Sequence, residues 1–340
     1  MTAKQKSPSG GSTSTTGKGF SQNANLQPTF YRNLQPTENT PDHASAAFID
    51  AIRSHGLEPP DTTITPGRFR RFPGAGKQRS NRAGWCILLP DGLGGCFGDF
   101  STGLSEIWQT RRSIPLSHAE RERFNRQAAE ARQRAEAERR EEWEAAAKRA
   151  TRIWRILRLP DPRHPYLIRK GINPPPETPV RQRGRSLVLP VTDFTRALTS
   201  LQFIAPDGGK RLLSGGRKQG CFIHVHGDTA SPSRVIICEG WATGCTLAEG
   251  ESKALVLAAI DSGNLEAVAM QARDHWPQAE RVIAGDDDRQ TPGNPGVTYA
   301  RRAAIASDSL VALPQWPEGA PDGLTDFNDL VQWERGVRHG

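Results

Sequence analysis

The chain is predicted to be an α/β protein with a parallel sheet in its C-terminal third, preceded by a small basic α+β segment, a long helix and an N-terminal β-rich module. Strand and helix patterns alternate from residue 233, a helical pattern runs over 117–158, and short apolar runs separate glycine-rich turns over 65–110. Since single cores stop growing at roughly 100–200 residues, 340 residues suffice for two domains. The expected segments are a disordered tail at 1–40, the β-rich module at 41–115, the long helix at 116–158, the basic subdomain at 159–232 and the parallel-sheet domain at 233–340.

Composition excludes several classes of protein. The first 40 residues are almost entirely small and polar, so they cannot offset the entropy of ordering, and they lack the apolar core of a secretory signal. No stretch approaches the roughly 20 apolar residues that cross a bilayer. The five cysteines form no Cys-x-x-Cys pair, so neither a disulfide framework nor a zinc ribbon is expected. The sequence therefore predicts a cytoplasmic protein that binds neither zinc nor membrane.

Charge is divided unequally along the chain. The net charge is +8, yet residues 233–340 hold 16 acidic and 9 basic side chains, a balance of −7, which leaves +15 on residues 1–232. This asymmetry favours a basic surface for a polyanion beside an acidic region for metal cations. Basic surfaces that only contact solvent are also common. The unequal distribution of charge alone therefore does not show whether the basic surface binds a polyanion.

The β-rich module mixes basic and aromatic side chains. Such a mixture is typical of proteins that stack bases and track phosphates along a single strand. It is equally typical of a small aromatic core with a solvated basic rim, and both interpretations stay open. The side chains concerned are Arg68, Arg70, Arg71, Lys77, Arg79 and Arg82, with Trp85, Phe97, Phe100 and Trp108. A short helix at 42–55 precedes the module.

The long helix is predicted from a segment rich in Ala, Arg, Glu and Gln without Gly or Pro. At 1.5 Å per residue it would extend about 60 Å. Apolar residues are sparse before Trp143 and then cluster between Ile153 and Leu157. We therefore expect most of the helix to be a solvated spacer and only its C-terminal end to pack on a core.

The basic segment that follows contains strand-like runs at 186–191 and 198–204. Beyond them, Lys210 and Arg211 follow a Pro-Asp-Gly-Gly turn, and Arg217 and Lys218 stand between glycines. Glycines let a backbone approach a phosphate closely while lysine and arginine supply positive charge. The pattern fits a phosphate or nucleotide site and an ordinary hairpin with charged turns about equally well.

The C-terminal third alternates strands with helices, as expected of a parallel sheet. In open α/β sheets, ligands bind beyond the carboxyl ends of the strands, so the residues directly after each strand are the candidates for a site. The predicted strands are 234–238, 254–260, 281–285 and 309–313, and the predicted helices lie near 241–249, 264–273 and 294–306, with Gly250 as a C-terminal cap.

Acidic residues follow three of these strands: Glu239, Asp261, and Asp286 with Asp288. An aspartate after a strand is more often a helix cap than a ligand. Three neighbouring strand ends that all bear acids form a more specific pattern. Like charges about 4 Å apart repel by several kcal/mol, so such a cluster is unfavourable unless a cation neutralises it. Carboxylate oxygens favour Mg²⁺ or Mn²⁺, which predicts a divalent-metal site.

Two motifs resemble a known family. The runs VIICEG at 235–240 and VIAGDDDR at 282–289 are similar to the glutamate and Asp-x-Asp motifs of the Toprim fold, which primases, topoisomerases and some nucleases share. Residues 187–222 resemble the basic subdomain before Toprim in bacterial-type primases, so the resemblance covers about 165–335. The run TDFNDL at 325–330 and the segment 68–108 look more like primase-related proteins of phages, plasmids and integrated elements. The zinc ribbon of bacterial primases is missing, and we expect residues 65–110 to take its place.

The resemblance implies a DNA primase-like nucleotidyltransferase that synthesises RNA primers on single-stranded DNA from NTPs, with any replicative helicase as a separate partner. Asp286 and Asp288 would bind metal, and Glu239 would bind metal or act as general base. A Toprim nuclease and a non-catalytic DNA-binding replication factor are the alternatives. The basic candidates for nucleotide or nucleic-acid binding are Lys210, Arg211, Arg217 and Lys218, and the secondary candidates are Asp261, Arg289 and Asp326.

Overall fold

The structure is a computed structural model that describes residues 41–59, 64–79, 81–110, 117–176 and 178–339. The chain divides into two compact units, Met1–Ala135 and Glu136–Gly340. The predicted disordered tail at 1–40 lies outside the described residues. Within the described ranges, no helix combines the length and the hydrophobicity that crossing a bilayer requires.

The first unit is built on an antiparallel sheet whose strands follow one another in chain order. Helix α1, Pro41–Ser54, covers one face, where Phe48 and Ile52 pack against Cys86, Leu88 and Phe97. Because successive side chains of a strand point to opposite faces of a sheet, the residues between these lie on the other face. The four strands are β1, Arg70–Phe72; β2, Gly84–Leu88; β3, Gly94–Asp99; and β4, Leu104–Gln109.

Helix α2, His118–Arg155, confirms the long predicted helix but corrects its expected role. Its N-terminal half is not a solvated spacer, because Ala128, Ala131 and Ala135 are buried against Trp85, Ile87 and Cys96 of the sheet. The packing of α2 on the sheet also requires the glycine at residue 94, because a Cβ there would lie 2.1 Å from the ring of Phe124 on α2. Alanine contributes little to a hydrophobic pattern, so the sequence did not reveal this stripe.

The second unit begins with the C-terminal part of α2, where Ile153, Trp154 and Leu157 pack with the buried Ala150 on an antiparallel sheet, as predicted. Helix α3, Pro165–Lys170, follows and ends at Gly171, which adopts the left-handed conformation with φ 58°. The sheet has the order β5-β6-β7-β8. Its strands are β5, Arg181–Arg183; β6, Ser186–Thr192; β7, Leu198–Ile204; and β8, Lys210–Leu212.

The C-terminal sheet has the order β13-β12-β10-β11-β9. Strands β10 to β13 pair in parallel, which confirms the predicted architecture, whereas β9 joins the edge antiparallel to β11. The sequence analysis had not assigned β9 because it is only four residues long. The strands are β9, Ile223–His226; β10, Arg234–Cys238; β11, Leu255–Ala258; β12, Glu280–Ala284; and β13, Leu310–Ala312.

Helices cover both faces of the parallel sheet. Alternate residues of β10 point to opposite sides, so Ile236 packs with Trp241 of α4, and Ile237 packs with Val268 of α5. Both faces of the sheet are therefore buried, as is usual for parallel sheets. The helices are α4, Trp241–Gly250; α5, Leu265–His275; α6, Pro295–Ser307; and α7, Phe327–His339.

One predicted helix boundary was wrong. Gly250 is the last residue of α4, and the C-cap is Glu251, with φ −122° and ψ 55°. Because this helix ends without a residue in the left-handed conformation, it does not require a glycine as its cap.

Candidate active site at the carboxyl edge of the parallel sheet

Three acidic residues lie at one edge of the sheet because their strands are neighbours. Strand β10 is between β12 and β11, and Cys238 is in register with Ala284 on one side and with Ala258 on the other. Glu239 directly follows β10, Asp286 follows β12 after one glycine, and Asp261 follows β11. The strand order therefore brings together the acids that the sequence distributed over about fifty residues.

A cavity of about 270 Å³ opens at this edge. One part of its wall is acidic and contains Glu239, Asp286 and Asp326, while another part is basic. Such a lining can hold a ligand that carries negative charge together with the cations that neutralise it. The other lining residues are Tyr166, Arg169, Lys170, Asp207, Gly208, Lys210, Gly240, Ala242 and Thr243.

The buried carboxyl group of Asp286 has the most perturbed environment of the acids. Burial raises its pKa from 3.8 to about 8, and the negative charges of Glu239, Asp326 and Asp288 act in the same direction. Lys210 opposes these effects. The Oδ1 atom of Asp286 is buried without a hydrogen-bond partner among the described residues. A buried carboxylate oxygen without a donor is the kind of atom that a metal cation would satisfy.

Glu239 shares this electrostatic field. Burial raises its pKa, Lys210 lowers it, and the charges of Asp261 and Asp288 raise it again. Lys210 can approach because residue 240 is a glycine: its Nζ lies 3.4 Å from the position that a Cβ would occupy there. The glycine that follows Glu239 thus leaves room for a lysine from β8 to reach the acidic edge.

Asp288 is not among the residues that line the cavity. Its Oδ2 accepts a hydrogen bond of 2.9 Å from the backbone N–H of Gly296, in the first turn of α6. The intervening Asp287 accepts from Trp316 Nε1 at 2.8 Å and from Asn294 Nδ2 at 2.7 Å. Within the run of three aspartates, the middle one is therefore engaged by neighbouring loops and the outer two lie nearer the site.

The structure does not hold the expected three acids on one preformed metal position. Among the described residues, no group of three His, Cys, Asp or Glu side chains is arranged to hold a metal ion. Hydrogen bonds and ion pairs engage Asp288 with Gly296, Asp261 with Lys218, and Asp326 with Thr243. The donors nevertheless suit Mg²⁺ or Mn²⁺, because they are carboxylate oxygens and two of them, Asp261 Oδ1 and Asp286 Oδ1, are buried without a hydrogen-bond partner among the described residues.

Asp261 follows a strained position. Ile260 has φ 80°, a left-handed conformation that is rare for a β-branched residue. The carboxylate of Asp261 pairs with Lys218 Nζ at 2.6 Å. Asn264 stabilises the next turn. Its side chain accepts a hydrogen bond from the N–H of Gly220 and donates one to the carbonyl of Ala259.

Two basic residues in the cavity wall were missed by the sequence analysis. Arg169 and Lys170 end helix α3, and Lys170 Nζ lies 3.1 Å from Asp329 Oδ1 and 3.7 Å from Asp326 Oδ2. Arg169 donates to the carbonyl of Pro206 at 2.7 Å. No local pattern indicates these positions, since α3 is separated from the acidic strand ends by a whole antiparallel sheet in the chain.

Of the four predicted basic residues, Lys210 lines the cavity and the other three do not. The guanidinium of Arg211 lies 5.0 Å from the ring centre of Phe203, and Arg217 pairs with Asp193 at 2.5 Å. Lys218 forms the ion pair with Asp261 described above. These three side chains already have protein partners.

The remaining secondary candidates, Arg289 and Asp326, form contacts with the C-terminal part of the chain. Arg289 lies over the ring of Trp316 at 4.7 Å and donates to the carbonyls of Pro321 and Leu324. Asp326 caps α7 by accepting from the N–H of Asp329 at 2.8 Å, and it also lines the cavity. Asp326 therefore both caps a helix and lines the cavity. Arg289 contacts the 316–324 segment, and its Nε also lies 3.6 Å from Asp287 Oδ2 in the run of three aspartates.

Residues 234–335, which include the parallel strands and their acidic edge, match the family model described as the Toprim domain. The predicted resemblance is confirmed by two relatives from Escherichia coli, both named DNA primase TraC. One is 34% identical over 306 residues, which is 83% of this chain and 28% of that protein. The other is 33% identical over 279 residues, 78% of this chain and 19% of that protein.

The chain thus spans less than a third of the length of the curated relatives it matches. A solved structure of the DnaG primase catalytic domain bound to ssDNA is similar with a TM-score of 0.40 and 13% identity. The match covers 60% of this chain and 78% of that chain.

Proposed function

We propose that the chain is a DNA primase-like nucleotidyltransferase that synthesises RNA primers on single-stranded DNA. The observation that supports this proposal best is the cavity in which Glu239 and Asp286 face Lys210 and Arg169. Phosphoryl transfer needs little covalent chemistry from a protein and mainly requires charge placed around the phosphates. The likeness to two proteins named DNA primase is consistent with this reaction.

The acidic side chains have the metal-binding role. Asp286 and Asp288 would hold Mg²⁺ or Mn²⁺, with Glu239 as a further ligand or as the general base, and Asp261 and Asp326 as outer residues. When bound, the ion would neutralise charge on the phosphate oxygens. The buried, unpartnered Oδ1 of Asp286 supports its assignment as a ligand.

The basic side chains have the nucleotide-binding role. Lys210, Arg169 and Lys170 line the cavity and are placed to bind the triphosphate of an incoming NTP. The 3′-hydroxyl of the primer attacks the α-phosphate, the bond to the β-phosphate breaks, and pyrophosphate leaves. Glu239, if it serves as general base, accepts the proton of that hydroxyl. Arg211, Arg217 and Lys218, which lie outside the cavity, are candidates for contact with the template.

Primer synthesis from NTPs on single-stranded DNA, with Mg²⁺ or Mn²⁺, tests the proposal. Glu239→Gln and Asp286→Asn are expected to reduce the rate by at least about a hundredfold, because each removes a charge that acts on the reacting phosphates. The controls are Glu318→Gln and Asp274→Asn, which change exposed acids away from the cavity and should leave the rate unaltered. Undiminished synthesis by both site variants would overturn the assignment.

The same preparation distinguishes polymerisation from hydrolysis. End-labelled single-stranded DNA incubated with metal but without NTPs should remain intact. Cleavage without any synthesis would replace the proposed activity with that of a Toprim nuclease. If neither reaction occurs and Mn²⁺ binding does not depend on Asp286 or Asp288, the chain is a non-catalytic DNA-binding factor.

A further inference from the structure

The first unit carries a concentration of positive charge that the candidate active site does not use. Between Thr62 and Pro90 the chain contains six basic residues and no acidic one. Arg68, Lys77 and Arg79 are exposed, and no ion pair joins any of these three side chains to a carboxylate among the described residues. We call Arg68, Lys77, Arg79 and Arg82, together with the rings of Phe69 and Phe100, the basic edge.

Three aromatic rings form a stack beside these charges. The ring centres of Phe69 and Trp85 lie 5.9 Å apart with an interplanar angle of 19°, and those of Trp85 and Phe100 lie 5.8 Å apart at 21°. Trp85 is the buried middle ring, whereas Phe69 and Phe100 are half-buried at the two ends. Phe69 therefore keeps part of its ring surface accessible to solvent, whereas the guanidinium of Arg71 lies over the ring of Phe100.

The backbone that carries the basic edge is well fixed. Strand β1 lies at the edge of the sheet, and within the part of the chain that the structure describes it pairs with β2 alone. Arg71 donates through Nε and Nη2 to the carbonyl of Arg82, and Arg82 Nη1 donates to the carbonyl of Arg71 at 3.3 Å. The guanidinium of Arg71 lies 4.7 Å from the ring centre of Phe100. These contacts hold the loop that carries Lys77 and Arg79 against the aromatic stack.

We propose that the basic edge binds single-stranded DNA, with the phosphates on Arg68, Lys77 and Arg79 and with a base against Phe69. Unpaired cations favour a polyanion, and an accessible ring beside them favours a nucleic acid whose bases are unstacked, since a duplex offers no free base faces. This surface gives the template a second contact outside the cavity. The assignment of DNA, rather than another polyanion, rests on the proposed function.

Removal of charge tests the phosphate contacts in the full-length chain. Arg68→Gln, Lys77→Gln and Arg79→Gln together are expected to weaken binding of a labelled, mixed-sequence single-stranded oligonucleotide by about tenfold or more, measured by fluorescence anisotropy. The slope of log K against log salt should fall in magnitude by about 2, since each phosphate contact on a single strand contributes about 0.7.

The matched control removes the same charge elsewhere in the first unit. Arg121, Arg123 and Arg126 are exposed on helix α2, where glutamates are interleaved with them. Their combined change to glutamine should weaken binding less than about twofold. Equal losses in the two triple variants, or no loss in the first, would overturn the proposal, because net charge alone would then explain any binding.

A substitution in the stack tests the contact with bases. Phe69→Leu keeps an apolar side chain but removes a ring, so affinity for single-stranded DNA should fall about fivefold while the thermal midpoint changes little. Duplex DNA of the same sequence should bind more weakly than the single strand and should not distinguish Phe69→Leu from wild type. Equal binding of both DNA forms, together with an unaffected Phe69→Leu variant, would reject the stacking.

Failure of this inference can be distinguished from failure of the proposed function. Asp274→Asn changes an exposed aspartate that belongs neither to the cavity nor to the basic edge, and it should bind single-stranded DNA as wild type does. If wild type makes no primer but the charge variant still loses affinity selectively, the DNA-binding surface stands and the primase assignment falls. If primers are made and the charge variant binds normally, only the surface is rejected.

Discussion

At the scale of single residues, Asp286 combines burial, neighbouring negative charge and an unpartnered oxygen atom. Burial is the first cause of its raised pKa, and Glu239, Asp326 and Asp288 add to it. In the metal-free chain, the carboxyl group is therefore largely protonated at neutral pH. A divalent cation would favour the ionised form, so metal binding and loss of this proton are expected to be coupled.

This coupling predicts how stability depends on pH without metal. Because the pKa in the folded chain, about 8, exceeds the ordinary value of 3.8, the folded state retains a proton that the unfolded state loses between these pH values. The stabilisation is complete below about pH 4 and is lost as the pH rises through about 8. Each unit of pKa difference corresponds to about 1.4 kcal/mol.

We therefore expect the urea midpoint, measured in EDTA, to fall between pH 5 and pH 9 in wild type and to fall less steeply in Asp286→Asn. Asp274→Asn, which changes an exposed aspartate on α5, should keep the wild-type slope. Identical slopes for wild type and Asp286→Asn would contradict the protonated state of Asp286.

At the scale of elements, the connection from β12 to α6 places the acids of the Asp-x-Asp motif. Asn294 is the N-cap of α6, with φ 41°, and it also accepts a hydrogen bond from the N–H of Asp288 at 2.9 Å. A Cβ at Gly296 would lie 2.4 Å from the carbonyl oxygen of Asp286 and 2.9 Å from Asp288 Oδ2. The first turn of α6 can therefore approach both aspartates only because residue 296 is a glycine.

Gly296→Ala is expected to destabilise the chain by about 1–3 kcal/mol, since the methyl group meets backbone atoms that cannot easily move. It should also weaken Mn²⁺ binding, because Asp288 loses its position against the N–H of residue 296. Urea denaturation and electron paramagnetic resonance of bound Mn²⁺ measure the two effects.

Gly250→Ala is the matched control, because a Cβ there meets no atom within 4 Å. In the last turn of α4 the alanine should leave stability unchanged or raise it slightly, and Mn²⁺ binding should not change. A Gly296→Ala variant as stable as Gly250→Ala, with unaltered Mn²⁺ affinity, would show that the close approach at α6 is unimportant.

At the scale of the whole molecule, the five cysteines are all buried and none is in a disulfide. Burial raises the pKa of Cys86 to about 12 and that of Cys96 to about 11, and it also raises the pKa values of Cys238 and Cys245. Thiolates are the reactive form, so buried thiols with raised pKa values react slowly. Cys238 is completely buried.

We expect an aromatic disulfide reagent such as DTNB to modify the native chain slowly and to titrate all five thiols after unfolding in guanidinium chloride. A reducing agent should not change the count. Absorbance of the released thiolate measures both the rate and the number. Rapid modification of any thiol in the native chain would show that its surroundings open more readily than this structure indicates.

The sequence by itself determined the alternation of strands and helices from β10 to β13, because hydrophobic period, glycines and prolines act over a few residues, whereas α3, β9 and α7 were not assigned. It also determined that acids follow consecutive parallel strands, which places Glu239, Asp261 and Asp286 at one edge of the sheet. The long helix, the strands of the parallel sheet and the resemblance of 235–240 and 282–289 to Toprim motifs follow from the same local patterns.

Only the tertiary structure decided which side chains meet. Lys170 contacts Asp329 across 159 positions of sequence, and Lys218 contacts Asp261 across 43. The alanine stripe of α2 was hidden for the same reason, since its partners Trp85, Ile87 and Cys96 lie on strands of the sheet rather than at helical spacing. Local patterns report which face of an element is buried, whereas the partner on that face depends on how distant elements pack.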